Sequence, residues 1–120
     1  MITETDTVRL IDFGLSKASN ENRNLKTMAG TPLYMAPEVF KGNYGMKADI
    51  WSIGIILYTM VTGHMPFEGA NPAIKFKKIA EADIDIDREE FKNVSEECKD
   101  LIKKIFVLDV DLRCSAMTAL

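Results

Sequence analysis

Three groups of residues in this 120-residue chain carry side chains capable of chemistry. The first is Asp12-Phe13-Gly14, which follows a short run of strand formers, Val8-Arg9-Leu10-Ile11. A strand that delivers a carboxylate onto a glycine is a chemical signal, although the tripeptide alone also reads as an Asx turn closed by glycine. The second group is Asp83, Asp85 and Asp87, which alternate like the opening of a calcium-binding loop. An EF-hand needs a glycine after its third acid and a bidentate glutamate at its last position, where this chain has Arg88 and Val94. These acids are therefore read as a solvated loop. The third group is Cys98, Cys114 and His64, the only cysteines and the only histidine. Without a C-x-x-C spacing or a set of histidine partners, they predict two reduced thiols rather than a metal site or a disulfide.

Any such chemistry needs elements to position it, and the strongest element is the run from Asp49 to Thr62. It is apolar on nearly every side and interrupted only by small or weakly polar residues. A run this long without a turn signal predicts a helix rather than a strand, and its all-round apolarity predicts burial with other helices on several faces. It is too short to cross a bilayer, which takes about 20 apolar residues. Gly63 and Pro66 supply its stop. Asp49, near its start, is then expected to carry a carboxylate into the interior, where it must find partners.

Further helices follow the same logic. Asn71 is a cap and Pro72 a first helical residue, with Ala73, Phe76, Ile79 and Ala80 at helical spacing. Ser95 precedes Glu96 and Glu97, after which Cys98, Leu101, Ile102, Ile105 and Phe106 recur at i, i+3, i+4, i+7 and i+8. Residues 115–120 begin one more helical segment. Residues 16–29 are polar and predict an exposed loop. At 47% apolar the chain is sized for one domain. Its formal charge of −3 offers no basic surface for nucleic acid or an anionic membrane. The first residues lack the basic start and apolar run of a signal peptide, so an intracellular compartment, cytoplasm or nucleus, is expected.

Asp12-Phe13-Gly14, Gly30-Thr31-Pro32 and Ala36-Pro37-Glu38, in that order and spacing, resemble the activation segment of a eukaryotic protein kinase. Asp49-Ile50-Trp51-Ser52-Ile53-Gly54, Pro66-Phe67 and Arg113 resemble later landmarks of the family's large lobe, so the resemblance spans the whole chain. Asp12-Phe13-Gly14-Leu15-Ser16, residues 44–49 and residues 93–97 are most similar to the calcium- and calmodulin-dependent group, which includes the calcium-dependent protein kinases.

The resemblance implies a mainly α, partial protein-kinase-like fold comprising the large helical lobe alone, with a short strand before Asp12. Residues 1–38 would hold the strand and activation segment, and residues 39–120 the helical core. It implies phosphoryl transfer from MgATP to a protein serine or threonine. Asp12 would hold the magnesium that bridges the ATP phosphates. Phe13 would pack beneath it and Gly14 would allow the turn. Thr27 stands where many members are phosphorylated, with a plain loop threonine as the alternative. Thr31 would contact the catalytic aspartate and line the pocket for the residue after the acceptor. Glu38 and Arg113 would form a buried, structural ion pair, and Asp49 would bond backbone around the catalytic loop. Thr59 replaces an acid by which some members read a substrate arginine, so a basic substrate is not supported.

No catalytic base lies in the chain, because the glycine-rich loop, the Val-Ala-Ile-Lys lysine and the His-Arg-Asp loop precede Asp-Phe-Gly in this family. The isolated chain is expected to be inactive. The alternative is a non-catalytic, kinase-like binding module. The partners implied are ATP and a protein substrate, with calcium or calmodulin acting through regions outside these residues. Neither nucleic acid nor a membrane span is expected.

Overall fold

A computed structural model describes residues 8–14, 16 and 31–120. Helices dominate these residues: α1 (Pro37–Phe40), α2 (Lys47–Thr62), α3 (Pro72–Glu81), α4 (Glu96–Ile105) and α5 (Ala116–Ala119), with 3₁₀ turns at Pro32–Tyr34 and Glu89–Asn93. Among the described residues the architecture is the mainly helical one that the resemblance implies, almost without strands. Among the described residues, the short strand expected before Asp12 is one bridge residue, Val8, and Val8, Leu10 and Ile11 are exposed. Strand formers become a strand only where a neighbouring ladder takes up their backbone groups.

Local chemistry sets the helix ends. Gly63 closes α2 in the left-handed conformation, with φ 74°, and its N–H donates to the Thr59 carbonyl at 2.8 Å. Asn71 Oδ1 accepts from the Ile74 amide at 3.0 Å, ahead of Pro72. Ser95 Oγ caps α4 by accepting from the Cys98 amide at 3.3 Å. Ser115 and Thr118 form a reciprocal capping box on α5.

The core is organised on α2. Trp51 is fully buried, stacked on Phe67 at 5.6 Å and edge-on to Phe106 at 5.0 Å. The helix crosses α4 closely through Gly54: a Cβ there would lie 2.2 Å from Ile105 Cγ2 and 3.2 Å from Phe106 Cζ. Further along, Tyr58 packs edge-on against Phe91 at 5.3 Å. Ile102, Ile105 and Phe106 of the α4 region complete this layer, with Cys98 and Leu101 half-buried beside it.

Two expectations for α2 are corrected. The helix is not buried all round: Ile53, Ile56 and Met60 are 54, 50 and 79% exposed. They share one stripe with Asp49, at i, i+4, i+7 and i+11. Asp49 is exposed as well, in the first helical turn, so its carboxylate stays in water instead of entering the interior. The physical reason is shared: among the described residues, the packed elements lie on the opposite side of α2, where Ile50, Trp51, Gly54, Ile55 and Tyr58 are buried.

Candidate functional site

The site begins at Asp12. Its backbone is left-handed, with φ 64°, a conformation that Asp tolerates because its short side chain bonds locally. Asp12 Oδ1 accepts from the Gly14 amide at 3.2 Å, making the Asx turn. A Cβ on Gly14 would approach that oxygen to 3.1 Å, so glycine keeps the turn uncrowded. Ser16 closes the next step, its amide and hydroxyl both donating to the Phe13 carbonyl, at 3.0 and 2.6 Å. Phe13 does not pack beneath Asp12, as expected of it, but is 67% exposed. The reason is again a missing wall, since no described element lies over this turn to cover the ring.

Magnesium is a hard ion that takes one or two carboxylates and completes its shell with water and phosphate oxygens. Asp12 fits one such position. Its side chain is exposed, one oxygen is fixed by the Gly14 amide, and Oδ2 has no partner among the described residues.

Residues 31–38 form the second part of the site. Thr31 is exposed and starts the 3₁₀ turn, accepting the Tyr34 amide at its carbonyl at 3.0 Å. Ser52 of α2 holds that turn down by donating Oγ–H to the Tyr34 carbonyl at 2.8 Å. Met35, Ala36, Pro37 and Glu38 are then buried. Thr27 and Gly30 lie outside the described residues.

The third part is an anchor beneath α1. Arg113, buried, donates from Nη1 and Nη2 to the two Glu38 oxygens at 2.5 and 3.0 Å. Two more of its donors are used: Nε reaches the Val107 carbonyl at 3.0 Å and Nη1 the Lys47 carbonyl at 3.0 Å. The guanidinium lies 5.0 Å from the Trp51 ring centroid, a cation–π contact that helps a charge tolerate the interior. Two lone charges would be expensive here, and the fork geometry matches them bidentately.

Sequence reasoning missed two residues that brace this anchor. Lys47 Nζ donates to the Val110 and Asp111 carbonyls at 2.8 and 3.0 Å, tying the start of α2 to the loop that carries Arg113. Ser52 was the other, and its signal was a hydroxyl inside an otherwise apolar run. Elsewhere, Asp85 Oδ1 accepts the Asp87 amide at 3.1 Å, and its carbonyl accepts the Tyr58 hydroxyl at 2.7 Å. Among the described residues no group of three His, Cys, Asp or Glu is placed to hold a metal. Nor is any helix among them long and apolar enough to cross a membrane.

Comparison with known proteins places this sequence in a family. The family model described as protein kinase domain matches residues 1–120. The Dictyostelium discoideum protein named probable serine/threonine-protein kinase fhkE is 40% identical over 111 residues, covering 88% of this chain and 16% of the relative. Calcium-dependent protein kinase 4 of Plasmodium falciparum (isolate 3D7) is 41% identical over 113 residues, covering 94% of this chain and 21% of the relative. Calcium-dependent protein kinase 25 of Arabidopsis thaliana is 37% identical over 117 residues, covering 98% and 22%. The chain thus spans less than a quarter of the length of each of these relatives.

Proposed function

The chain belongs to the protein kinase domain family, and from that premise we propose that it is the late part of a serine/threonine kinase catalytic domain, residues 1–38 being the Asp-Phe-Gly turn and activation segment and residues 39–120 the helical core. The observation that carries this reading is the tethering of residues 31–38 on both sides. Ser52 fixes Tyr34 from α2 and Arg113 fixes Glu38 from below, which leaves Thr31 exposed at the start of the tethered turn. A protein hydroxyl bound for phosphorylation needs such a fixed platform, because phosphoryl transfer depends chiefly on positioning and on electrostatic stabilisation.

In the complete domain, magnesium and ATP supply the transferable phosphoryl group and neutralise its developing charge. Asp12 would hold the metal, with its carboxylate exposed and one oxygen oriented by the Gly14 amide. Thr31 lines the pocket for the residue after the acceptor, and Thr27 is a candidate for phosphorylation that would recruit arginines. Compartment and control are proposed with it: an intracellular protein whose calcium response, suggested by relatives named calcium-dependent protein kinases, resides outside these 120 residues.

The test is an assay with MgATP and a serine- and threonine-containing protein substrate. The parent domain, with a His-Arg-Asp loop in frame, should transfer phosphate and lose that transfer in Asp12→Ala. The 120-residue chain alone should not, since it has no His-Arg-Asp loop and no lysine in a Val-Ala-Ile-Lys context. Transfer by the short chain that disappears in Asp12→Ala would overturn the assignment of the missing roles, and a parent domain indifferent to Asp12→Ala would overturn the role given to Asp12.

A further inference from the structure

The apolar face expected of α3 is only partly used by the core. Ile79 is buried, but Phe76 and Ala80 are exposed, and they line a cavity of about 470 Å³ between α3, α1 and the segment after α4. Its other apolar walls are Pro37, Phe40 and Leu108. Phe40 and Phe76 meet edge to face at 5.5 Å, yet each remains 38–40% exposed, and both rings line the space between the helices. A volume of this size, with mostly apolar walls and few polar groups, is what small organic ligands occupy.

The charges around the cavity select among such ligands. Among the described residues, two ionisable ones line it, Glu38 and Lys41. Glu38 is already bound bidentately by Arg113, so its charge is matched inside the protein. Lys41 is exposed and makes no ion pair or side-chain hydrogen bond among the described residues. The cavity therefore combines an aromatic interior with one uncommitted cation at its edge. We propose that it is a binding site for a small amphipathic carboxylate, whose aromatic or branched body packs against the Phe40–Phe76 pair and whose carboxylate pairs with Lys41. This site is separate from Asp12 and Thr31, and the proposal holds or fails independently of phosphoryl transfer.

The probe is 4-phenylbutyrate, titrated into the 120-residue chain and followed by methyl NMR, with its neutral amide as the control. Saturable shifts at Ile79, Ala80 and Leu108 are expected. Lys41→Met should weaken the carboxylate about tenfold, equivalent to about 1.4 kcal/mol, while leaving the amide unchanged. Ala80→Trp should fill the cavity and abolish both. Should that change disturb the core methyls of Ile55 and Ile102, Ala80→Leu provides the same occlusion with less bulk. The proposal is overturned if the carboxylate binds no better than the amide, if Lys41→Met has no effect, if no shift saturates, or if the shifts fall on Ile53, Ile56 and Met60 of α2 instead.

Discussion

Asp12 and Glu38 are both carboxylates next to family motifs, yet the molecule treats them in opposite ways. Asp12 sits in water and uses only its neighbours: its bond is to Gly14, and the next bonds join Ser16 to Phe13. Glu38 is buried and bound across 75 positions of sequence to Arg113. The difference separates two tasks. A structural ion pair must bring its own partner, because a buried charge without one is prohibitive. The role proposed for Asp12, holding a metal, would gain from its staying open, since a coordinating oxygen committed elsewhere is no ligand. The lower half of the site is thus complete in itself, whereas Asp12 is fixed in direction by its turn and left free in charge.

The largest effect should come from splitting the buried pair. Glu38→Gln or Arg113→Met strands the remaining charge beside Trp51 and should cost about 3–5 kcal/mol, read as a drop in the urea midpoint. The double variant should lose less than the sum of the singles, because it leaves no charge unpaired. Single losses under about 1 kcal/mol would mean that water reaches the pair and that the contrast with Asp12 is overstated.

Next in size is the close crossing of α2 and α4. Gly54→Ala places a methyl where Ile105 Cγ2 now lies, and that branched side chain has little rotamer freedom to move away. Overpacking costs about 1–3 kcal/mol, set against a gain in helix propensity of about 1 kcal/mol for replacing glycine, so the net effect is destabilising. Ile105→Leu, which removes the branched methyl, should rescue the variant. A Gly54→Ala chain more stable than the original would show that α4 can slide.

How far the sequence revealed this arrangement depended on whether a residue's partner was itself in the sequence pattern. Helix periods, Asn71, Ser95 and Gly63 announced α2, α3 and α4 because caps and apolar spacing are local. Phe13 and Asp49 are exposed although burial is expected of them, because burial is a property of what covers a residue, and their own spacing says nothing of that. Ala73, Phe76 and Ala80 illustrate the same limit: their helical spacing was legible, but α1 and Leu108 leave a cavity in front of two of them instead of a filled core. Lys47 left no signal at all, since the carbonyls it binds belong to residues 63 and 64 positions away.

A smaller effect is expected at the far end of α2, where Tyr58 donates its hydroxyl to the Asp85 carbonyl at 2.7 Å. Tyr58→Phe should cost about 1 kcal/mol, the net value of one hydrogen bond. Burial pushes the phenol's pKa up, with Arg88 opposing it. The folded state therefore holds the proton more tightly than the unfolded one, and this contribution is complete below the ordinary tyrosine value and is lost as pH rises past it. Alkaline titration monitored by phenolate absorbance should show Tyr58 ionising above the ordinary tyrosine value. Early ionisation would mean that the hydroxyl is wet.

The smallest effect on stability should come from Asp12 itself, and it tests the comparison most directly. Asp12→Ala deletes a single hydrogen bond at an exposed turn and asks alanine to accept φ 64°. The turn is surrounded by water, so it can relax, and the unfolding midpoint should move by no more than about 0.5 kcal/mol. Asp12→Asn keeps an oxygen for the Gly14 amide and suits the left-handed backbone, and should restore even that. The two variants then divide the residue's roles. In the parent domain both should abolish phosphoryl transfer, because neither supplies a negative oxygen for a divalent ion, although only alanine disturbs the turn. A loss of stability above about 1 kcal/mol in Asp12→Ala, recovered in Asp12→Asn, would make Asp12 a structural anchor like Glu38. Retained transfer in Asp12→Asn would show that the turn, and not the charge, is what the reaction requires.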